Sequence, residues 1–210
     1  LAHFCEHVTF KGTQTHTSTA IINKLESVGG DLNAFTNKED TVFYSAIPVE
    51  HFAKAVDVLS DIVFYSIFPQ AEIDKEVEVI CDEIESYNDS PAELIYDEFE
   101  NLVFKGHPLG HNILGSTDRV RGFATADAMR FTQQYYRPDN AIFFVYGNID
   151  FKRLVKTLEK LTPKQLQESV VDEALVVSDG KLPELTILNH DTHQGHVMIG
   201  NRAYCAPRLL

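Results

Sequence analysis

The residues whose types and spacing can do chemistry stand at the start of the chain, in the run His3-Phe4-Cys5-Glu6-His7. On an α-helix four residues advance the side-chain direction by about 400°, so imidazoles at positions 3 and 7 lie about 40° apart and about 6 Å along the axis. Both can then grip one divalent ion. Glu6 falls about 60° from His3, where a carboxylate takes a proton from a metal-bound water without being a ligand itself. Zinc suits the set, because catalytic zinc sites commonly use two histidines and one carboxylate and leave a fourth position for water. A third protein ligand is then required, and the acidic stretch that follows Pro69 offers Glu76 and Glu83, seven residues apart and nearly on one helical stripe. The competing reading is a pair of core histidines satisfied by hydrogen bonds on an apolar helix face.

The elements that must position these residues read as follows. Leu1 to Phe10 carries apolar residues at Leu1, Phe4 and Val8 and meets Gly12, which predicts a short buried helix with a glycine stop. Thr17 or Ser18 caps a second helix with Ile21, Ile22, Leu25 and Val28 on one face, closed by Gly29 and Gly30. Asp31 to Asn37 and Thr41 to Pro48 form two extended runs joined by Lys38, Glu39 and Asp40, a β-hairpin whose second strand is expected in a sheet interior.

Helical spacing returns over Glu50 to Tyr65, Pro69 breaks the chain, and a long helix covers Gln70 to Tyr87. Ser90-Pro91 starts a helix to about Phe104, a turn-rich stretch runs from Gly106 to Gly115, and another helix covers Thr125 to Tyr136. Ala141 to Tyr146 has the composition of a central strand, Asp150 opens a helix to Leu161, and Glu184 to Leu188 and His196 to Gly200 read as strands. Thr162 to Pro183 reads as a linker or meander. The fold class is therefore α+β, a mixed or antiparallel sheet packed against helices.

With 210 residues, 44% hydrophobic and 23% charged, the chain has the composition of a folded globular protein. A net charge of -13 argues against a nucleic-acid partner, which would need clustered Lys and Arg. No apolar run reaches the roughly 18 residues that span a bilayer. Cys5, Cys81 and Cys205 are odd in number and widely separated, unlike a disulfide framework, so a reducing, cytoplasmic setting is the expectation. A start at Leu1, without Met and two residues ahead of His3, keeps a periplasmic location open. Cys5 and Cys81 fall on apolar helix positions, where cysteine behaves as a small hydrophobe rather than a nucleophile. His190, His193 and His196 match neither face of a strand, and His107 and His111 flank a turn, so neither group reads as a site.

A wider set of motifs carries a resemblance. It comprises Leu-Ala-His-Phe-Cys-Glu-His-Val-Thr-Phe-Lys-Gly-Thr from Leu1, Gly29-Gly30-Asp31-Leu32-Asn33-Ala34-Phe35-Thr36, Glu76 with Val79, Ile80 and Glu83, His107-Pro108-Leu109-Gly110, and Tyr135-Tyr136-Arg137-Pro138-Asp139-Asn140. Together they resemble the pitrilysin and mitochondrial processing peptidase family of inverted-motif (His-x-x-Glu-His) zinc peptidases, in a bacterial member's N-terminal catalytic fragment. In that family the third ligand follows the second histidine by about 76 residues, and 83 − 7 = 76 selects Glu83.

The resemblance implies His3, His7 and Glu83 as zinc ligands, Glu6 as general base and Glu76 as an acidic residue supporting the site from outside. It implies that the strand with Asn33, Ala34, Phe35 and Thr36 is an edge to which an extended peptide adds. It also implies a catalytic domain over residues 1–183 that lacks its first strands, and over 184–210 a linker strand and the start of a second homologous domain. The expected partners are a peptide substrate and that C-terminal domain or a partner chain, with a homo-oligomer open through exposed sheet edges.

The activity this describes is zinc-dependent endopeptidase. Two rivals stand beside it: a non-catalytic scaffold or assembly subunit of the same family, and a related-fold metal-dependent lyase that uses a cysteine ligand. The presence of all four key positions argues against the first, and Glu83 argues against the second.

Overall fold

The computed structural model describes residues 1–164, 185–189 and 193–202. They form two units, one made of residues 1–81 and 113–164, the other of residues 82–112 with the described residues between 185 and 202. The division falls inside one continuous helix.

The first unit opens with α1 (Ala2–Thr9), whose Phe4, Cys5 and Val8 are buried, as their spacing requires. Next comes α2 (Ser18–Glu26), capped by Thr17, whose hydroxyl accepts a hydrogen bond from the Ala20 amide. Gly29, at φ +76, takes the left-handed conformation that closes this helix without a Cβ penalty. The chain then makes an antiparallel hairpin of β1 (Asn33–Thr36) and β2 (Thr41–Tyr44), in the register Asn33↔Tyr44, Ala34↔Phe43, Phe35↔Val42, Thr36↔Thr41. α3 (Phe52–Tyr65) lies against α2, and their buried Ile21, Leu25, Ala55, Val58 and Ile62 form the main apolar cluster, with Phe10, Phe43 and Ile47 at its border. Burying each of the isoleucine, leucine and valine side chains contributes about 1.5–3 kcal/mol.

α4 (Gln70–Asn88) is the helix that crosses the division. α6 (Thr117–Val120), α7 (Thr125–Tyr135) and α8 (Phe151–Leu161) complete the first unit, α7 packing against α1 and α8 against α3. The α8 contact is a second cluster of Phe52, Val56 and Leu154. The second unit holds the end of α4 and α5 (Pro91–Val103), against which the 3-10 turn at Pro108–Gly110 packs.

Three expectations are corrected. β2 is not interior: it pairs with β1 alone among the described residues, and Tyr44 is exposed. Ala141 to Tyr146 is not a strand, and Ile142, Phe144 and Tyr146 are 97%, 83% and 94% exposed. The described residues 185–189 and 195–200 are likewise irregular. Strand propensity records fit to a pleated neighbour, and among the described residues no backbone pairs with these runs. Val145 packs against the Phe52 cluster. Most of the expected linker, from residue 165, lies outside the described residues, as do His190 and Cys205.

Candidate metal centre

α1 is short and buried, which holds the side chains it carries rigidly. His3 and Glu6 are buried, His7 is half-buried, and the Nε2 atoms of His3 and His7 face each other at 3.2 Å. Their rings meet edge to face, with centroids 4.6 Å apart. α4 carries Glu76, buried, and Glu83, exposed, two turns farther along. One ligand atom from each of His3, His7 and Glu83 lies within 4.8 Å of the others.

These donors fit a zinc ion. With bonds of about 2.1 Å in tetrahedral geometry, ligand atoms stand about 3.4 Å apart. The imidazole pair already has that spacing, and the Glu83 ligand atom stands within 4.8 Å of both on an exposed side chain. His3 is pulled down to about 4 from an ordinary 6.5, first by burial and then by the positive charges of His7 and the N-terminus. It is therefore neutral at pH 7.

His7 is held from behind. Its Nδ1 lies 3.0 Å from Glu76 Oε1, and Lys11 Nζ lies 2.5 Å from Glu76 Oε2. Burial alone would raise the Glu76 carboxyl, but hydrogen bonds and charge from His7 and Lys11 hold it below the ordinary range. An ionised carboxylate only accepts, so the shared proton sits on His7 Nδ1 and the Nε2 lone pair is left for a metal.

Glu6 is reached from the hairpin. Thr36 Oγ1 donates to Glu6 Oε2, and Thr41 Oγ1 stands 3.2 Å from Thr36 Oγ1. Along β1, Asn33 and Phe35 are exposed while Ala34 and Thr36 are half-buried. The strand thus turns one face toward α1, which it contacts, and keeps the other open. Among the described residues β1 has a single strand neighbour, β2.

Cys5, between the histidines, is fully buried, and burial pushes its thiol up to about 12. Cys81 is buried too, so both act as apolar core residues. His193 and His196 join no group of metal-ligating residues among the described residues.

Two contributors were not singled out in the sequence. Lys11 lies in the turn just past the end of α1, and nothing in the local sequence pointed to Glu76 as its partner. The Thr41 hydroxyl opposite Thr36 had no local signal, since only the hairpin register brings the two together.

Comparison with known proteins adds a family and a fold. A model described as Insulinase (Peptidase family M16) matches residues 1–117, and one described as Peptidase M16 inactive domain matches residues 124–204. Every candidate site residue lies in the first match. An uncharacterized zinc protease of Rickettsia bellii is 41% identical over 161 residues, 77% of this chain and 39% of that protein. The mitochondrial-processing peptidase subunit beta of Saccharomyces cerevisiae is 34% identical over 159 residues, 76% of this chain and 34% of that protein. The chain thus spans well under half the length of these relatives. Among solved structures, the periplasmic protease PqqL from Escherichia coli superposes with a TM-score of 0.75 at 24% identity, over 84% of this chain and 20% of that one, a likeness of α+β fold.

Proposed function

The chain belongs to the insulinase family of peptidases, family M16, and on that premise we propose that it carries the catalytic centre of a zinc-dependent endopeptidase acting on extended peptides. The observation that carries the reading is the convergence of His3, His7 and Glu83 ligand atoms within 4.8 Å, with the buried Glu6 carboxylate on the same turn of helix. In this reading His3, His7 and Glu83 hold the ion. When bound, zinc supplies polarisation of the scissile carbonyl and acidification of water toward neutral pH.

The rest falls to the chain's own residues. Glu6 accepts the proton of the attacking water and hands it to the departing amine, so that the amine leaves neutral. Glu76 keeps the His7 proton on Nδ1, and Lys11 keeps Glu76 ionised. The open edge of β1 at Asn33, Ala34, Phe35 and Thr36 binds the peptide by main-chain hydrogen bonds, which demand little of its sequence. The C-terminal neighbourhood is a homologous domain or partner chain that closes over the peptide; the inactive-domain match supports a non-catalytic role for residues 124–204, and we keep 184–210, which overlaps the end of that match, as the start of a second homologous domain. The relatives' length supports such a partner.

The test is Glu6→Gln in the complete protein. Zinc is retained and peptide hydrolysis is lost; full hydrolysis by that variant overturns the assigned base. A scaffold subunit, the second reading, would hold no zinc at all.

A further inference from the structure

We infer that Thr36 is the positioning residue for Glu6: its side-chain hydroxyl orients the carboxylate of the base, while the backbone of the same strand takes the peptide. This deepens the proposed function and rests on it, since it concerns the residue named there as base.

The hydroxyl chemistry leaves little choice of direction. A threonine hydroxyl has one proton and two lone pairs. Thr36 gives its proton to Glu6 Oε2. The contact with Thr41, at 3.2 Å, is then one in which Thr41 donates and Thr36 accepts. Donation into Thr36 polarises its O–H and strengthens the bond to Glu6. The antiparallel register supplies this arrangement, with Thr36 and Thr41 directly opposed and carrying their hydroxyls on one face of the hairpin.

The mechanical consequence concerns the third side-chain torsion of glutamate, which is broad and not locked by rotamer preference. α1 fixes the Glu6 backbone, and burial limits the side chain, but neither chooses the plane of the carboxylate. A directed hydrogen bond to one oxygen does. Because that bond comes from β1, any shift of the strand along its axis also shifts the base. A peptide docked on the open edge of β1 and the carboxylate that must meet its water therefore share one rigid reference. A base misplaced by a fraction of an ångström costs rate rather than affinity.

Thr36→Val keeps the β-branched shape that suits a strand and removes only the hydroxyl, whereas Thr36→Ser keeps the hydroxyl and removes the methyl. In the complete protein with a fluorogenic peptide, Thr36→Val is expected to retain zinc, to lower kcat about tenfold and to leave KM within about twofold. Thr36→Ser is expected to return kcat to within about threefold of the parent. In a Glu6→Gln background, Thr36→Val is expected to change the residual rate no further, because the group it positions is gone. An unchanged kcat in Thr36→Val overturns the inference, as does a raised KM at constant kcat, which would put the hydroxyl on the peptide. Loss of zinc in Thr36→Val, or a Thr36→Ser as slow as Thr36→Val, also overturns it, by making the residue structural. Glu6→Gln alone separates the two levels: if that variant is active the base assignment itself fails, and if it is dead while Thr36→Val is normal, only the role of Thr36 fails.

Discussion

His7 Nδ1 donates a 3.0 Å hydrogen bond to Glu76, a residue 69 positions away in sequence. Through it a buried carboxylate on α4 decides which nitrogen of an α1 histidine is bare. Lys11, at 2.5 Å from the same carboxylate, keeps it charged.

Removing this support weakens metal binding without removing a ligand. Glu76→Gln cannot be ionised and presents an amide that donates as readily as it accepts, so the His7 tautomer is no longer dictated. Zinc affinity, measured by competition with a chromogenic chelator, falls about 10- to 100-fold. Unchanged affinity would leave Glu76 a structural partner of His7 and Lys11 with no bearing on the metal.

The pH response of the metal-free protein follows from His3. Its pKa is about 4 when folded against 6.5 when exposed, burial being the largest cause. Between those values the unfolded chain holds a proton that the folded chain lacks, so acid favours unfolding. His3 therefore costs nothing above pH 6.5 and destabilises progressively as pH falls toward 4. Thermal denaturation between pH 7 and 4 shows this slope, and His3→Asn flattens it. An equal slope in the variant contradicts the account.

The thiol inside the motif is inert. Cys5 is fully buried with its pKa pushed up to about 12, so at pH 8 almost no thiolate exists and none is reachable. Iodoacetamide at pH 8 leaves the Cys5 peptide unmodified in the folded protein and labels it after denaturation, as peptide mass spectrometry records. Rapid labelling of the native protein would mean that α1 is not packed as described.

Much of the site was legible because it is local. The spacing of His3 and His7 on one helix turn, and of Glu76 and Glu83 two turns apart, depends only on helical period, and α1 and α4 obey it. The Thr17 cap and the Asp31 to Pro48 hairpin were legible for the same reason. Pairings that depend on which distant segment arrives beside which were not. The strand propensity of Ala141 to Tyr146 is real, yet with no pairing strand among the described residues its Ile142, Phe144 and Tyr146 side chains stand in solvent. The Thr36 to Glu6 and Lys11 to Glu76 bonds share this character. Each residue looked ordinary until a second element met it.

The central claim is that two imidazoles of α1 and the carboxylate of Glu83 converge on one ion, and zinc stoichiometry tests it most directly. By elemental analysis after dialysis against a weak chelator, the complete protein is expected to keep one zinc from this site. His3→Ala, His7→Ala and Glu83→Ala each lose it while remaining folded by circular dichroism, and Glu6→Gln keeps it. Full zinc retention in folded Glu83→Ala, or no zinc in the parent protein, would contradict the account.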